Sequence, residues 1–533
     1  MKEKDTFEKL QKRKKSQLEN NKRSYQNDNP AKSAPNKKGS SSRRKKKNQH
    51  GAAKRVGVVL VSLQAILSVL FVGILFKIDL LPFKYMALVL FLLFALWLIA
   101  YATQKRHKRR ALPGKVLSTF MIILLAIGSF YLAKMNGAFN AVTGGSYKVD
   151  SIVVAVLKDN PAETLEDAKD YSFGIQTAVG GEGINQAIQA INTELKGSIA
   201  TSEYANMQEL AVALRDGTTD AIIYNEGYIG MIEEVIENYE SSIKVIYRHE
   251  IKTELQTSTI QKEFSITEDT FSVYLSGIDV FGAIETNSRS DVNIIATVNP
   301  ETRQILLTTT PRDFYVPIPG VSNGQKDKLT HAGVYGVDAS MATLASLYET
   351  EIPFYARVNF TSLMEIVNVL GGVDVYSDYE FTTIEGVYVK QGMNHFNGQQ
   401  ALSFARERKN IPGGDNQRGK NQQAVIIAMI KKMISPAILT KASGIIDSVS
   451  GNVETNMSQD HIQSLIKMQL NEGGSWSIYS VAATGSDGNE ITYSMPGLST
   501  YVMYPNMDSV NTIIDLMNRV ENGEVLDGSE VAQ

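Results

Sequence analysis

The chain has 533 residues, 54 Lys and Arg against 56 Asp and Glu, and no cysteine. That length is too great for one compact core and predicts two or three folded units. The missing thiols exclude a disulfide framework, thiolate zinc, iron–sulfur ligation and a cysteine nucleophile, and six histidines are too few for a histidine-rich metal cluster.

The net charge of −2 averages two opposite populations. Residues 1–55 carry 19 Lys and Arg but 5 acids, and Arg43–Lys47 lies among Ser, Asn, Gly and Pro. So polar a segment predicts a disordered, basic cytoplasmic tail. Three apolar runs follow: Val56–Phe76, Leu80–Tyr101 (interrupted only by Lys84) and Val116–Ala133. Each approaches the ~20 residues that cross a hydrocarbon core of ~30 Å. A basic loop at 104–110 separates the second from the third. The positive-inside rule then puts tail and loop in the cytoplasm and everything after about Asn136 outside, as in a multi-pass cell-membrane protein. A cleaved signal peptide is excluded, because the first run begins late and two more follow. The basic tail suits anionic lipid or topology control; nucleic acid is the disfavoured partner.

Beyond the runs the balance reverses, with 26 Lys and Arg against 50 acids from Gly137 onward. Residues 147–270 predict a small extracellular α/β accessory domain. Its strands are expected at Ser151–Leu157, Asp220–Tyr224 and Ile243–Tyr247, and its helices at Ile184–Leu195 and Met207–Leu214. Nothing in it concentrates catalytic residue types. Residues 271–523 alternate strands (Phe271–Asp279, Val292–Val298, Gln304–Thr310, Phe354–Val358) with helices (Val337–Tyr348, Thr361–Leu370, Gln399–Phe404, Gln417–Ile434). That order predicts an α/β sandwich with its site in loops at strand ends. Residues 524–533 are expected to be a disordered tail.

The outer part has only ten arginines, and six sit at strand ends or in polar loops: Arg289, Arg312, Arg357, Arg406, Arg408 and Arg418. A guanidinium is a permanently charged fork suited to phosphate oxygens, and several in one pocket repel each other unless an anion lies among them. The set therefore points to a phosphate or pyrophosphate site; the alternative is that each pairs with an acid on a solvated face. Arg406 and Arg408 share a ligand only if their helix ends near Ala405, and Ile411–Gly414 downstream predicts such an ending. Arg418 and Gln422 fall on one helical face. Asp279 and Asp291 are hard oxygen donors of the kind that hold magnesium beside substrate phosphates. Three further motifs mislead. Gly414–Asn421 nearly spells a phosphate loop but lacks the final Ser or Thr and a preceding strand. Ser464 and Lys467 have acylase spacing without the accompanying motifs. His331 reads as a packing or capping residue.

At these positions the sequence resembles the LytR-CpsA-Psr family, specifically its streptococcal capsule-locus branch. The resemblance rests on Arg289–Asp291, Thr310–Asp313, Lys328–Gly336, Val358–Phe360, Gly371–Val375, Asn397–Leu402, Arg406–Arg408, and Gly414–Asp415 with Arg418 and Gln422. It implies an α/β/α-sandwich catalytic domain with an apolar tunnel for a lipid tail. The implied activity is transfer of a capsular polysaccharide or similar anionic glycopolymer from a polyprenyl-pyrophosphate carrier to a peptidoglycan hydroxyl. It further implies Mg2+ on Asp279 and Asp291, and a pyrophosphate gripped by Arg289, Arg312, Arg406, Arg408 and Arg418 with Lys328 and Gln422 nearby. Arg289, Arg312 and Asp313 are the expected catalytic residues. Other capsule-synthesis proteins are candidate partners. Many members carry an arginine where this chain has Asn421, and Lys420 is the candidate substitute. The competing reading is a membrane-bound regulator or scaffold of capsule synthesis, a transcriptional attenuator without catalysis.

Overall fold

The computed structural model describes residues 41–105, 111–142, 147–255, 264–278, 287–433, 453–528 and 531. The chain divides into two compact units, Met1–Leu63 with Trp97–Thr119, and Gln64–Leu96 with Phe120–Gln533. Three long helices, α1 (Ser41–Ile78), α2 (Phe83–Gln104) and α3 (Leu112–Val142), carry the apolar runs. Their stretches Lys54–Ile78, Phe83–Gln104 and Leu112–Lys134 are each long and apolar enough to cross a membrane. Large apolar side chains such as Val69, Phe83 and Phe91 point away from protein, as lipid-facing positions do. The expected disorder up to residue 55 needs correcting. Helix α1 already begins at Ser41, because Lys, Arg and Ala extend a helix that the apolar run nucleates. Residues 1–40 lie outside the described residues.

The accessory domain comprises β1 (Tyr147–Leu157), β2 (Ser172–Ile175), α4 (Gly181–Glu194), β3 (Ala200–Glu203), α5 (Met207–Arg215), β4 (Ala221–Asn225), α6 (Ile229–Val235) and β5 (Ile243–Glu254). Its sheet runs β3-β2-β4-β1-β5. Strand β1 is buried on both faces from Ser151 to Val156, so its alternate residues pack against helices on opposite sides. Ile184, Ala187 and Ile191 form the buried stripe of α4, and Asn206 caps α5 through the Glu209 N–H.

The second domain after the apolar helices contains β6 (Phe271–Ile278), β7 (Ser290–Asn299), β8 (Gln304–Thr310), β9 (Tyr315–Pro317), β10 (Lys326–Lys328), α7 (Leu329–Tyr335), α8 (Val337–Tyr348) and β11 (Phe354–Val358). There follow α9 (Phe360–Leu370), α10 (Gly398–Arg406), α11 (Gly414–Met433), β12 (Val453–Thr455), α12 (Gln459–Glu472), β13 (Ser477–Ala482) and α13 (Met507–Glu521). The six-stranded sheet runs β12-β11-β6-β7-β8-β13. Its centre, β6-β7-β8, is antiparallel, while β11 and β13 join its two sides in parallel. One face packs Tyr274, Ile295 and Leu306 against Leu344 of α8 and Ile513 and Leu516 of α13. The other packs Val273, Ile294 and Leu307 with Ile426 of α11 and Leu465 of α12. This is the expected α/β/α sandwich.

The two domains touch closely. The Asn287 N–H donates to the Val149 carbonyl and its Nδ2 to Asp150, both at 3.0 Å, and Lys148 pairs with Asp338 at 3.2 Å. The structure also differs from the expected tail after residue 523. Leu526 is 2% exposed, its N–H donates to Gln304 Oε1 (2.9 Å), and its carbonyl accepts from the Tyr479 hydroxyl. A buried leucine three residues past Gly523 and beside an exposed Val525 has no periodicity by which to announce that it is core.

Candidate active site

Register brings the key residues together. β7 and β8 are antiparallel, with Asn293 opposite Thr310. Two residues before the one lies Asp291, and two after the other lies Arg312, so the pairing carries both to the same end of the sheet. Arg312 Nη1 donates to Asp291 Oδ1 at 2.9 Å, and Arg312 Nε lies 3.5 Å from Asp313. Lys328 arrives from the end of β10, Arg408 from the loop after α10, and Arg418 from the first turns of α11. The expected helix ending occurs there: α10 stops at Arg406 and the backbone turns extended at Glu407, whose carboxylate caps the Lys409 and Asn410 N–H groups.

These residues surround a cavity of about 700 Å³ whose cations are Arg289, Arg312, Lys328, Arg408, Lys409 and Arg418. Asp291 is buried among them. Burial pushes its carboxyl up, but the guanidiniums of Arg312, Arg289 and Arg418 more than offset that and hold it well below the usual carboxylate range. Its Oδ1 also accepts from Thr330 (3.2 Å), whereas its Oδ2 makes no hydrogen bond and lies 3.8 Å from Arg418. Beside it, Gly277, Ile278, Val292, Val358, Leu363, Ala405 and Ile426 enclose a narrow apolar cavity of about 20 Å³, into which Gln422 also faces. Gln422 is buried, and its Oε1 has no hydrogen-bond partner.

Arg289, Arg312, Asp313, Lys328, Arg408 and Arg418 therefore share one cavity, and Asp291 and Gln422 adjoin it. Arg406 is exposed at the end of α10 and does not line the cavity. Asp279 lies outside the described residues. Arg357 is a structural arginine: it is buried and bonded to Glu454 on β12 (2.9 Å), which also accepts from the Tyr355 hydroxyl. Asn421 ties α11 to the Phe404 carbonyl and Lys420 is exposed, so neither stands in for a missing arginine in the cavity wall. His331 is buried against Asp327 (2.6 Å), as a packing histidine. Gly414–Asn421 lies within α11, and Lys467 pairs with Asp79.

The sequence reading missed the accessory-domain wall. Gly230, Glu233, Glu234 and Glu237 line the same cavity. Glu234 accepts from Arg289 Nη1 and from Lys328 Nζ, each at 2.7 Å. Burial raises its pKa, and Lys328 and Arg289 more than reverse this, leaving it at about 2. An acidic helix on a domain without catalytic residue types carries no local signal of that contact.

A profile of the LytR_cpsA_psr family matches residues 237–510. The chain belongs to this family. It is similar to the polyisoprenyl-teichoic acid–peptidoglycan teichoic acid transferase TagU of Bacillus anthracis, 34% identical over 229 residues, which are 43% of this chain and 73% of that one. TagU of Enterococcus faecalis (strain ATCC 700802 / V583) is 36% identical over 201 residues, 37% and 65% of the two chains. Among solved structures, TagV of B. subtilis is 27% identical, covering 49% of this chain and 99% of its own with a TM-score of 0.41. TagT bound to LIIa-WTA is also 27% identical, covering 50% and 97% with a TM-score of 0.40.

Proposed function

We propose that this LytR_cpsA_psr protein is a phosphotransferase that moves a glycopolymer, a capsular polysaccharide or similar anionic polymer, from a polyprenyl-pyrophosphate carrier to a peptidoglycan hydroxyl. The observation that carries the reading is the convergence of Arg289, Arg312, Lys328 and Arg418 on one cavity around a buried, ionised Asp291. Such a cradle fits a diphosphate, and the names of the TagU relatives supply the reaction type.

The acceptor oxygen attacks the sugar-linked phosphorus, its new P–O bond replaces the bond to the bridging oxygen, and polyprenyl phosphate leaves. Arg312 and Arg289 neutralise the charge that grows on the bridging and leaving oxygens. Asp313, on the cavity wall, would take the hydroxyl proton; Asp291 is too strongly stabilised as the anion to be a useful base. The prenyl chain enters the apolar cavity beside Asp291, which must widen from about 20 Å³ to admit it.

Magnesium fits one feature of the site. The Oδ2 of Asp291 is a buried carboxylate oxygen without a hydrogen bond, so Asp291, with Asp279, would hold the ion. Among the described residues no three His, Asp or Glu side chains form a metal cage, so substrate oxygens would complete the shell. Bound there, magnesium would supply further neutralisation of phosphate charge.

The finer topology, with a cytoplasmic N-terminus and an outer catalytic domain, is supported by the basic flanks and by α12. Lys467 pairs with Asp79, and Lys84 donates to the Asn471 carbonyl at 2.7 Å. These contacts support an α1–α2 turn on the same side of the membrane as the catalytic domain. The test is to incubate the purified full chain with lipid-linked polysaccharide, peptidoglycan and magnesium. A covalent polymer–peptidoglycan product that is lost on chelation and in Arg312→Ala supports the reading; no product from the folded wild-type chain refutes it.

A further inference from the structure

One wall of the proposed transferase cavity comes from the accessory domain, and it is negative where the rest is positive. Helix α6 brings Glu234 into bonding distance of two cations from separate elements, Arg289 just before β7 and Lys328 at the end of β10. Its two oxygens are divided between them, as two oxygens of a diphosphate would be. The helix is seated firmly. A Cβ at Gly230 would come within 2.6 Å of the Arg289 guanidinium carbon, and one at Gly227 within 3.0 Å of the Asn287 carbonyl. Glycine at 230 thus lets the helix backbone lie directly on Arg289. The Glu234 side chain, by contrast, keeps 24% of its exposure and has rotatable bonds through which it can swing aside.

We propose that Glu234 is a selectivity residue that competes with the donor headgroup for Arg289 and Lys328, so that a diphosphate displaces it while a singly charged phosphodiester or a monophosphate does so poorly. This rests on the transferase reading and deepens it. An open basic cradle at a membrane surface would collect anionic phospholipid headgroups and retain the prenyl monophosphate product. A carboxylate that re-forms two short ion pairs disfavours both, because any weaker anion must replace those bonds without fully compensating them. The same exchange aids product release: once the bridging P–O bond breaks, the departing lipid holds one phosphate instead of two.

The test uses the purified full chain in detergent, with geranylgeranyl diphosphate, geranylgeranyl monophosphate and phosphatidylglycerol as probes. Glu234→Gln keeps the size and an acceptor oxygen but removes the charge. The wild type should prefer the diphosphate. The variant should gain on the order of tenfold or more in affinity for the monophosphate and for phosphatidylglycerol, with a smaller gain for the diphosphate. Thermal unfolding in parallel establishes that the variant is folded; Glu234→Asp, with the charge kept and one methylene lost, should fall between the two. Unchanged or weaker binding of every probe by folded Glu234→Gln overturns the proposal and leaves Glu234 a tie between domains. Arg312→Ala separates the two levels. Diphosphate binding that requires Arg312, with monophosphate and phosphatidylglycerol binding that ignore Glu234, sinks the selectivity role alone. If binding is absent, or indifferent to Arg312, both readings fall together.

Discussion

Arg312→Ala separates catalytic from structural loss because the structure sets the two effects at different sizes. Breaking a buried ion pair by deleting one partner typically costs about 3–5 kcal/mol, when the survivor is left uncompensated. Asp291 would not be. It keeps the Thr330 hydroxyl at 3.2 Å and the Arg418 guanidinium at 3.8 Å, and Arg289 still contributes to its field. Removing Arg312 also relieves repulsion among the neighbouring cations. The expected destabilisation is therefore about 1–3 kcal/mol, that of an under-satisfied buried polar group. Transfer should suffer more, because a donor aimed at developing charge is typically worth about 100-fold to 1,000-fold in rate. The assay follows labelled polymer from lipid carrier to insoluble peptidoglycan at a temperature where circular dichroism shows the variant folded. Arg312→Ala that transfers at the wild-type rate would remove this residue, and the charge-neutralisation argument with it.

Three further outcomes are expected. Arg357→Ala should behave oppositely, costing about 3–5 kcal/mol in denaturant unfolding by stranding Glu454, while the folded fraction keeps its specific activity; loss of activity at full stability would refute this. Leu526→Ala should lower stability by about 2–3 kcal/mol, since the side chain is buried in the core under β8 and β13, and an unchanged denaturation midpoint would return this segment to the status of a tail. Glu234 should make stability fall in acid: its pKa is depressed in the fold from an ordinary 4.5 to about 2, so its contribution is complete above 4.5 and is lost as pH drops toward 2. Acid titration of unfolding should therefore be flatter in that window for Glu234→Gln, and identical slopes for variant and wild type would contradict the ion pairs.

What sequence could reveal tracks the range of the interactions involved. The membrane helices and the strands β7 and β8 announce themselves because their apolar patterns are local. Arg289 and Arg312 are legible because arginines at strand ends in an acidic domain are conspicuous. Arg357 looks alike in sequence, yet its charge is satisfied by Glu454, 97 positions away on a three-residue edge strand with no pattern of its own. Helix α13 shows Val510, Ile513, Met517 and Val520 at helical spacing, so its absence from the predicted elements reflects no physical obstacle. Glu234 is the opposite case. Its partners lie 55 and 94 residues on, in another domain, and only the docking of the two domains creates the contact.

Counting charge ties that contact to the chemistry. Around the cavity stand six cations, Arg289, Arg312, Lys328, Arg408, Lys409 and Arg418, against Glu233, Glu234, Glu237, Asp313 and the buried Asp291, a surplus of one positive charge. The deeper set of Arg289, Arg312, Lys328 and Arg418 against Glu234, Asp291 and Asp313 leaves the same surplus. A diphosphate diester brings two negative charges, so simple addition would leave one uncompensated in a site partly shielded from water, which is costly. If Glu234 withdraws, the surplus rises to two and the donor is balanced. A divalent cation entering with the donor cancels its two charges by another route and leaves the surplus of one unchanged, and the two differ in what they predict. Withdrawal makes diphosphate binding sensitive to Glu234 in chelator, whereas metal entry makes it sensitive to magnesium with Glu234 in place. Titrating geranylgeranyl diphosphate against wild type and Glu234→Gln, each with and without magnesium, distinguishes them. Withdrawal is refuted if the substitution has no effect in chelator.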